Sequence, residues 1–299
     1  MNQLIASSDL LSQRFYDAVF NSLDVRASTI TDYKYRIKHF LVFVEQRGID
    51  YNLLLSYKRS LEANEDYGVS TKNKYLTAAT TFLRQCRELG FITTEINCRV
   101  SFFTQSKKHK KFGITENEAS RICDWIRVHP NKTRETTMLC LLLFQGLRQA
   151  EVCNIKISDV NLGQRVVFVK GKGRDDKDPV HLHPNTYRIL KTYIDTTVAS
   201  DAYLFYSKSC KSEDNRLTER GLRSIIKSIL SDLGIDKDVH GFRHYFTTHL
   251  IKMMPGELTK VAQFTRHRSL EMLSVYNDAL LDEENNTIFD NAFEPLLVR

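Results

Sequence analysis

The sequence predicts a mainly α-helical protein that contains one small antiparallel β-sheet. Apolar residues recur at helical spacing through the first hundred residues and again after residue 185. A single stretch, "RVVFVKGKGRDDKDPVHLHP" at 165–184, alternates apolar and polar side chains on both sides of a glycine-containing turn. We therefore expect an N-terminal helical bundle followed by a mixed α+β domain.

Two long amphipathic helices define the predicted bundle. The first, at 28–48, places Tyr33, Ile37, Phe40 and Val44 on one stripe and ends at Gly48. The second, at 69–90, repeats this design. Its predicted inward residues are Tyr75, Phe82, Cys86 and Leu89, and its predicted outward basic residues are Lys72, Lys74, Arg84 and Arg87.

A basic segment separates the two predicted domains. Four of its five residues from 107 to 111 are lysines: Lys107, Lys108, Lys110 and Lys111. A capping box from Thr115 to Glu118 then starts a new helix. We expect a bundle at 1–105, a linker at 106–113 and a second domain at 114–299 that includes a tail at 282–299.

The second domain is predicted to place its sheet among helices. A buried helix ends at Gly146, and Gly171 and Gly173 form the turn of the β-hairpin. Helices are expected at 185–198, 216–233, 238–253, 257–265 and 269–280, with a short strand at 202–206.

Composition narrows the classes of function. The net charge is +7, with +6 on residues 1–112, +5 on 113–281 and −4 on 282–299, which favours a polyanionic partner. The sequence shows neither a signal peptide nor a membrane span, so we expect a cytoplasmic protein. No CxxC pair occurs, and the cysteines are expected to be reduced: Cys86, Cys98, Cys123, Cys140, Cys153 and Cys210.

One helical segment concentrates chemically active side chains. In "HGFRHYFTTHL", the residues His240, Arg243 and His244 adjoin an apolar stripe, so they should lie beside the core. The two histidines at i and i+4 could bind zinc, but no HExxH glutamate and no third ligand accompany them. We expect neither a metal nor a cofactor.

Other short motifs, each of which contains a chemically active residue, precede and follow this segment; we call these motifs boxes. The full order is Arg148 in "GLRQAE", Lys172 in the hairpin turn, His240, Arg243, His267 in "TRHRSL" and Tyr276 in "LSVYND". This order and spacing resemble the tyrosine recombinase (phage integrase) family, in particular its compact two-domain Xer-like members. Two positions depart from the family pattern: Arg266 replaces the usual glycine before the last histidine, and Leu273 and Ser274 replace a threonine pair.

The resemblance implies a catalytic role for each box residue. Tyr276 would attack the phosphorus of DNA and form a 3′-phosphotyrosine, while Arg148 and Arg243 would clamp the phosphate, because forked guanidinium groups suit a spread negative charge. His240 would be the general base, His267 a hydrogen-bond donor to the phosphate and Lys172 the general acid, with Lys170 and Lys177 as its rivals. Glu151 would orient Arg148, and His244 would support the site from behind.

The resemblance also implies partners. Two domains would form a clamp around double-stranded DNA that carries a specific site, with the basic residues of the bundle and the linker on the DNA backbone. Four subunits would assemble on paired sites, with accessory proteins as further partners and no membrane, and the protein would be associated with the nucleoid. The acidic tail would dock on a neighbouring subunit or on its own domain.

The chemistry leaves alternatives. A type IB topoisomerase or a hairpin telomere resolvase would use the same nucleophile. A DNA-binding regulator of the same fold that does not cleave is the alternative from another class. Such a binder needs positive charge but neither a phenol nor two imidazoles, so the complete set of box residues favours a recombinase.

Overall fold

The computed structural model divides into two compact units, Met1–Ser106 and Lys107–Arg299. It describes residues 13–92, 95–104, 113–171, 176–196, 203–207, 216–267, 269–274 and 276. The prediction of a mainly helical protein with one small antiparallel sheet is confirmed.

The first unit is a bundle of helices around an apolar core. Its described helices are α1 (Gln13–Asn21), α2 (Ala27–Arg47), α3 (Leu53–Ala63) and α4 (Val69–Glu88). The predicted stripe of α2 is confirmed at Ile37, Phe40 and Val44, which are buried. Leu89 was wrongly predicted to face inward. It caps the end of α4 and is exposed, because the helical stripe ends with Cys86.

The second unit surrounds the helix α6 (Thr133–Phe144), which is buried over most of its length. The other described helices are α5 (Glu116–Val128), α7 (Gln149–Asn154), α8 (Pro184–Thr196), α9 (Glu219–Asp232), α10 (Val239–Met253) and α11 (Leu258–Thr265). The predicted capping box of Thr115 and Glu118 is present at the start of α5. Residues from Leu139 to Leu142 of α6 are fully buried, so this helix anchors its neighbours.

The sheet has three short strands in the order β1 (Val160–Asn161), β2 (Val166–Lys170) and β3 (Lys177–His181). All pairs are antiparallel, and Val167 faces Val180 across β2 and β3. The strand predicted at 202–206 is wrong. Tyr203 and Tyr206 each form an isolated bridge, with Lys156 and Arg216 respectively, so they tie loops together and do not extend the sheet.

Two glycines allow the backbone to approach α10 closely. Gly146 has a φ of 55°, and a side chain there would collide with the ring of Phe246 in α10. Gly113 lies against the imidazole of His244, at a distance of 2.5 Å from the position of an added Cβ to Nδ1. Both glycines therefore bring backbone directly against α10.

Candidate active site

Arg148 lies at the N-terminal end of α7, directly after the turn at Gly146. Its guanidinium donates a hydrogen bond of 2.7 Å to Oε1 of Glu151, and its backbone N–H donates one of 2.8 Å to Oε2. Glu151 is 2% exposed, whereas about a third of the Arg148 side chain is accessible. The buried carboxylate thus holds a guanidinium that faces outward.

Arg243 in α10 is held from behind by backbone oxygens. Its Nη1 donates a 2.8 Å hydrogen bond to the carbonyl of Gly146, and its Nη2 donates a short one to the carbonyl of Thr265. Burial, followed by repulsion from Arg148 and Arg266, lowers the pKa of Arg243 to about 9, which still leaves it protonated at neutral pH. Arg243 is therefore a buried cation at neutral pH.

Arg266 adds a third guanidinium that sequence analysis did not assign to the site. Its side chain is 8% exposed and donates a 3.0 Å hydrogen bond to Oε2 of Glu151. Burial acts to raise the pKa of Glu151, but the charges of Arg266 and Arg148 and the Arg148 N–H outweigh it and hold this pKa below its usual value. Glu151 is therefore a carboxylate shared by two arginines.

His267 follows Arg266 and is oriented by Thr265. The Nδ1 atom of His267 lies 2.6 Å from the Thr265 hydroxyl, which also lies 2.8 Å from the carbonyl of Val261. Burial, followed by the charges of Arg243, Arg148 and Arg266 and a smaller effect of His240, lowers the pKa of His267 to about 4. The ring is neutral at physiological pH in the absence of a bound anion.

Tyr276 lies in a small apolar cluster with Ile251, Val261 and Leu273, and it is 7% exposed. Its ring centroid is 4.9 Å from that of His244 and 6.3 Å from that of His267. Burial raises the pKa of the phenol, while Arg243 and Arg148 act to lower it. The phenol is therefore protonated in this state, within the field of two arginines.

His240 is exposed at the start of α10, where Asp238 caps the helix by accepting its backbone N–H at 2.9 Å. His240 and His244 line a cavity of about 430 Å³. The charged residues of this cavity are Arg223, Lys227, Asp236, Lys237 and Asp238. Three of these five are cations and two are carboxylates, so charges of both signs line the cavity beside the imidazoles.

These positions bring seven of the predicted residues together: Arg148, Glu151, His240, Arg243, His244, His267 and Tyr276. Lys172 and the four linker lysines lie outside the described residues. Lys177, a rival for the role of Lys172, forms an ion pair with the buried Asp159 at the base of the hairpin. On α4 of the first unit, Lys74, Arg84 and Arg87 are exposed and Lys72 is half-buried.

Sequence reasoning missed Arg266 and Thr265. Arg266 was visible only as a departure from a family pattern, and its effect was expected to be on the shape of the loop. The residue adopts the left-handed conformation, with φ 54° and ψ 41°, so the loop keeps a shape that glycine would favour. For Thr265, the sequence indicated a position in α11 but no role in the site.

Within the described part of the chain, no group of three or more His, Cys, Asp or Glu side chains is arranged to hold a metal ion. The positive charge of the site comes from guanidinium groups. Three arginines and one carboxylate carry a net charge of +2, most of it shielded from water. Such a site is suited to an oxyanion, and the nearby phenol supplies a nucleophile for phosphoryl transfer.

Comparison with known proteins agrees with this chemistry. The phage integrase family matches residues 113–283. Tyrosine recombinase XerC of Halalkalibacterium halodurans is 25% identical over 273 residues, which cover 85% of this chain and 88% of that protein. The chain belongs to the phage integrase family and is a tyrosine site-specific recombinase.

Solved structures share its fold. The XerH site-specific recombinase in a post-cleavage complex with difH DNA matches with a TM-score of 0.71 at 19% identity, over 97% of this chain and 86% of that one. A lambda integrase tetramer on a Holliday junction matches with a TM-score of 0.69 at 14% identity, over 92% and 78% of the two chains.

The helices of the described residues are either too short or too polar to cross a membrane.

Proposed function

We propose that Tyr276 is the nucleophile with which this recombinase cleaves DNA. The phenolic oxygen forms a bond to phosphorus, the bond from phosphorus to the 5′ oxygen breaks, and the DNA end stays attached as a 3′-phosphotyrosine. Rejoining reverses these steps with a new 5′ hydroxyl, so the reaction needs no nucleotide cofactor. The observation that carries the proposal is the burial of Tyr276 within the electrostatic field of Arg148 and Arg243.

Arg148 and Arg243 act as the clamp for the two non-bridging oxygens of the scissile phosphate. Arg243 is fixed by two carbonyls, and Arg148 is fixed by Glu151, so both donors are oriented before DNA binds. A preorganised donor costs no reorganisation when charge develops in the transition state. Loss of one such donor lowers a rate by about 10²–10³.

We assign the transfer of protons and a hydrogen bond to the phosphate to three further residues. The phenol of Tyr276 must lose its proton, and we assign this proton to His240, whose exposed imidazole lines the same cavity as His244. Lys172 gives a proton to the departing 5′ oxygen. His267 donates a hydrogen bond to the phosphate after it has itself bound a proton, which the negative charge of the phosphate favours.

The basic residues outside the site bind the DNA backbone. Lys74 and Arg84 are exposed, and we assign them as direct phosphate contacts. Lys72 donates a hydrogen bond to the carbonyl of Glu62, and Arg87 donates one to the carbonyl of Ile96. Part of the hydrogen-bonding capacity of these two side chains is therefore used within the bundle. Each phosphate contact that is lost should reduce the salt dependence of binding by about one counterion.

Recombination between two DNA sites also suggests how the domains and several subunits are arranged. We assign residues 1–105 to DNA core binding, 106–113 to the linker that crosses the backbone and 114–299 to catalysis. Four subunits act on two paired sites in the nucleoid, with the tail at 282–299 docked on the next subunit. The lambda integrase of similar fold is a tetramer on a Holliday junction, which supports the number of four subunits. Deletion of 285–299 should preserve single-site binding and weaken pairing of sites in analytical ultracentrifugation.

The decisive experiment uses a nicked suicide duplex, from which the short 5′ product diffuses away and traps the covalent complex. The duplex is first selected from a random library by binding to the wild-type protein. With EDTA present, wild-type protein should form an adduct that survives denaturation, and Tyr276→Phe should bind the duplex but form none.

An adduct from the Phe variant would reassign the nucleophile. Binding without an adduct from the wild type would favour the non-cleaving regulator. Dependence of the adduct on added magnesium would contradict an arginine-based site. Exchange between two paired sites, assayed with the same protein, distinguishes a recombinase from a topoisomerase or a telomere resolvase.

A further inference from the structure

Arg266 occupies a backbone position that disfavours it. It follows the last residue of α11 in the left-handed conformation, and its N–H closes the helix on the carbonyls of Ala262 and Gln263. A residue with a Cβ is strained in this region, whereas glycine is not. Among the described non-glycine residues only Arg165 shares a positive φ. A side chain retained at such a position needs a reason beyond the shape of the turn.

The side chain of Arg266 points into the protein and binds Glu151. Its Nη2 lies 3.0 Å from Oε2 of Glu151, and its Nη1 donates to the carbonyl of Phe264 at 3.3 Å. Its Nε is buried and has no hydrogen-bond partner among the described residues. Removal of a guanidinium from water is costly, so the contact with a buried carboxylate is the compensating interaction.

Glu151 distributes its two oxygens between two arginines. Oε2 accepts from Arg266 and from the backbone N–H of Arg148, which leaves Oε1 directed at the Arg148 guanidinium. Glu151 alone would cancel the charge of Arg148. With Arg266 the three side chains keep a net charge of +1, so the carboxylate can orient Arg148 while the site stays positive.

We infer that Arg266 is a positioning residue of the recombinase site, which fixes the Glu151 carboxylate so that Arg148 is held toward the scissile phosphate and the positive charge of the site is kept. This inference rests on the proposed function of Arg148 as a phosphate ligand. Arg266 itself lies behind the Glu151 carboxylate and acts through it.

Three variants separate the charge of Arg266 from its backbone strain. Arg266→Gly removes both, Arg266→Ala removes the charge and keeps the strain, and Arg266→Lys keeps both. Lys260→Ala is the matched control, because it removes one cation from the same helix at an exposed ion pair with Glu257. Adduct formation is measured in single turnover on the selected suicide duplex at saturating protein.

Cleavage rates should depend on the charge at position 266, and stability against urea should depend on the backbone strain there. The Gly and Ala variants should each cleave about tenfold more slowly than wild type, as expected when a catalytic group loses its orientation. The Lys variant should recover most of the rate, and Lys260→Ala should stay within about twofold of wild type. Of the two slow variants, Gly should unfold at the higher urea concentration.

A second readout needs no DNA. The Arg148 Nε–Hε signal in a ¹⁵N NMR spectrum, assigned through its loss in Arg148→Lys, should shift in the Gly and Ala variants and stay near its wild-type position in the Lys variant. An unchanged signal in Gly and Ala overturns the inference, whatever the cleavage assay gives. Wild-type cleavage rates in both variants overturn it as well, and they leave the proposed function intact.

A shifted signal in a protein whose wild type forms no adduct supports the positioning of Arg148 and refutes the proposed function.

Discussion

The carboxylate of Glu151 accepts a 2.7 Å hydrogen bond from the guanidinium of Arg148, and 99% of the Glu151 side chain is removed from solvent. Substitution Glu151→Gln keeps the shape but leaves two arginines near each other without a counter-charge. We expect the free energy of unfolding at pH 7 to fall by about 3–5 kcal/mol, the cost of breaking a buried ion pair.

The loss of stability in Glu151→Gln should depend on pH, and the lowered pKa of Glu151 sets the direction of this dependence. The pKa of Glu151 is lowered in the folded state, so its stabilisation is complete above the pKa of an unfolded glutamate, about 4.3, and is lost as the pH falls through the lower folded value. Urea unfolding of both proteins from pH 7 to pH 3 tests this. A difference that stays constant over this range would contradict the charged role of Glu151.

His267 should titrate far below an ordinary histidine. Its pKa of about 4 in the free protein reflects burial and three nearby arginines. The neutral form is favoured by folding, so its contribution to stability is complete above about pH 6.5 and is lost as the pH falls toward 4. A bound phosphate should raise this pKa, because an anion offsets the arginines.

Ring ¹H–¹³C NMR titrations with and without the selected duplex measure this change, with His267→Gln to assign the signal. Titration near 6.5 in the free protein would show that neither burial nor the arginines act on this ring. A pKa that does not rise with DNA would remove His267 from the phosphate.

Thr265 offers a test of the orientation of His267. Thr265→Val removes the hydroxyl that lies 2.6 Å from Nδ1 but keeps the backbone carbonyl that binds Arg243. We expect cleavage to slow about tenfold because the ring loses its fixed orientation. Thr265→Ser retains the hydroxyl and should cleave at nearly the wild-type rate. Equal rates for the Val and Ser variants would refute this role.

The role of Lys172 can be tested through the leaving group. Lys172→Ala should cleave a normal duplex slowly and a duplex with sulfur at the 5′ bridging position at close to the wild-type rate, because a thiolate departs without a proton. Lys170→Ala is the neighbouring control and should not need this rescue. Lys177 is paired with Asp159 and is a weaker rival. Rescue of the Lys170 variant alone would move the role by two residues.

Local patterns in the sequence were sufficient for the fold class, and the family resemblance marked the box residues, of which Lys172 lies outside the described residues. Helical spacing predicted the buried stripe of Ile37, Phe40 and Val44, and Gly146 marked the end of α6. Arg148 and Arg243 meet because one turn and one helix present them to the same point, where the Gly146 carbonyl binds Arg243.

Interactions between distant parts of the chain could not be predicted in this way. The pairing of Arg266 with Glu151 joins residues 115 positions apart and depends on a left-handed backbone at Arg266. Residues 203–206 have the composition of a strand, but Tyr203 and Tyr206 form isolated bridges, because tertiary partners decide whether such a segment extends a sheet.

The covalent attachment of Tyr276 to DNA defines the proposed mechanism, and peptide mapping can detect it. Trypsin should release the segment 269–299, in which Tyr276 is the only tyrosine. After the trapped wild-type complex is digested with nuclease and trypsin, mass spectrometry should find this peptide joined through Tyr276 to a nucleotide 3′-phosphate. A modified tyrosine in any other peptide, or linkage to a 5′-phosphate, would contradict the account.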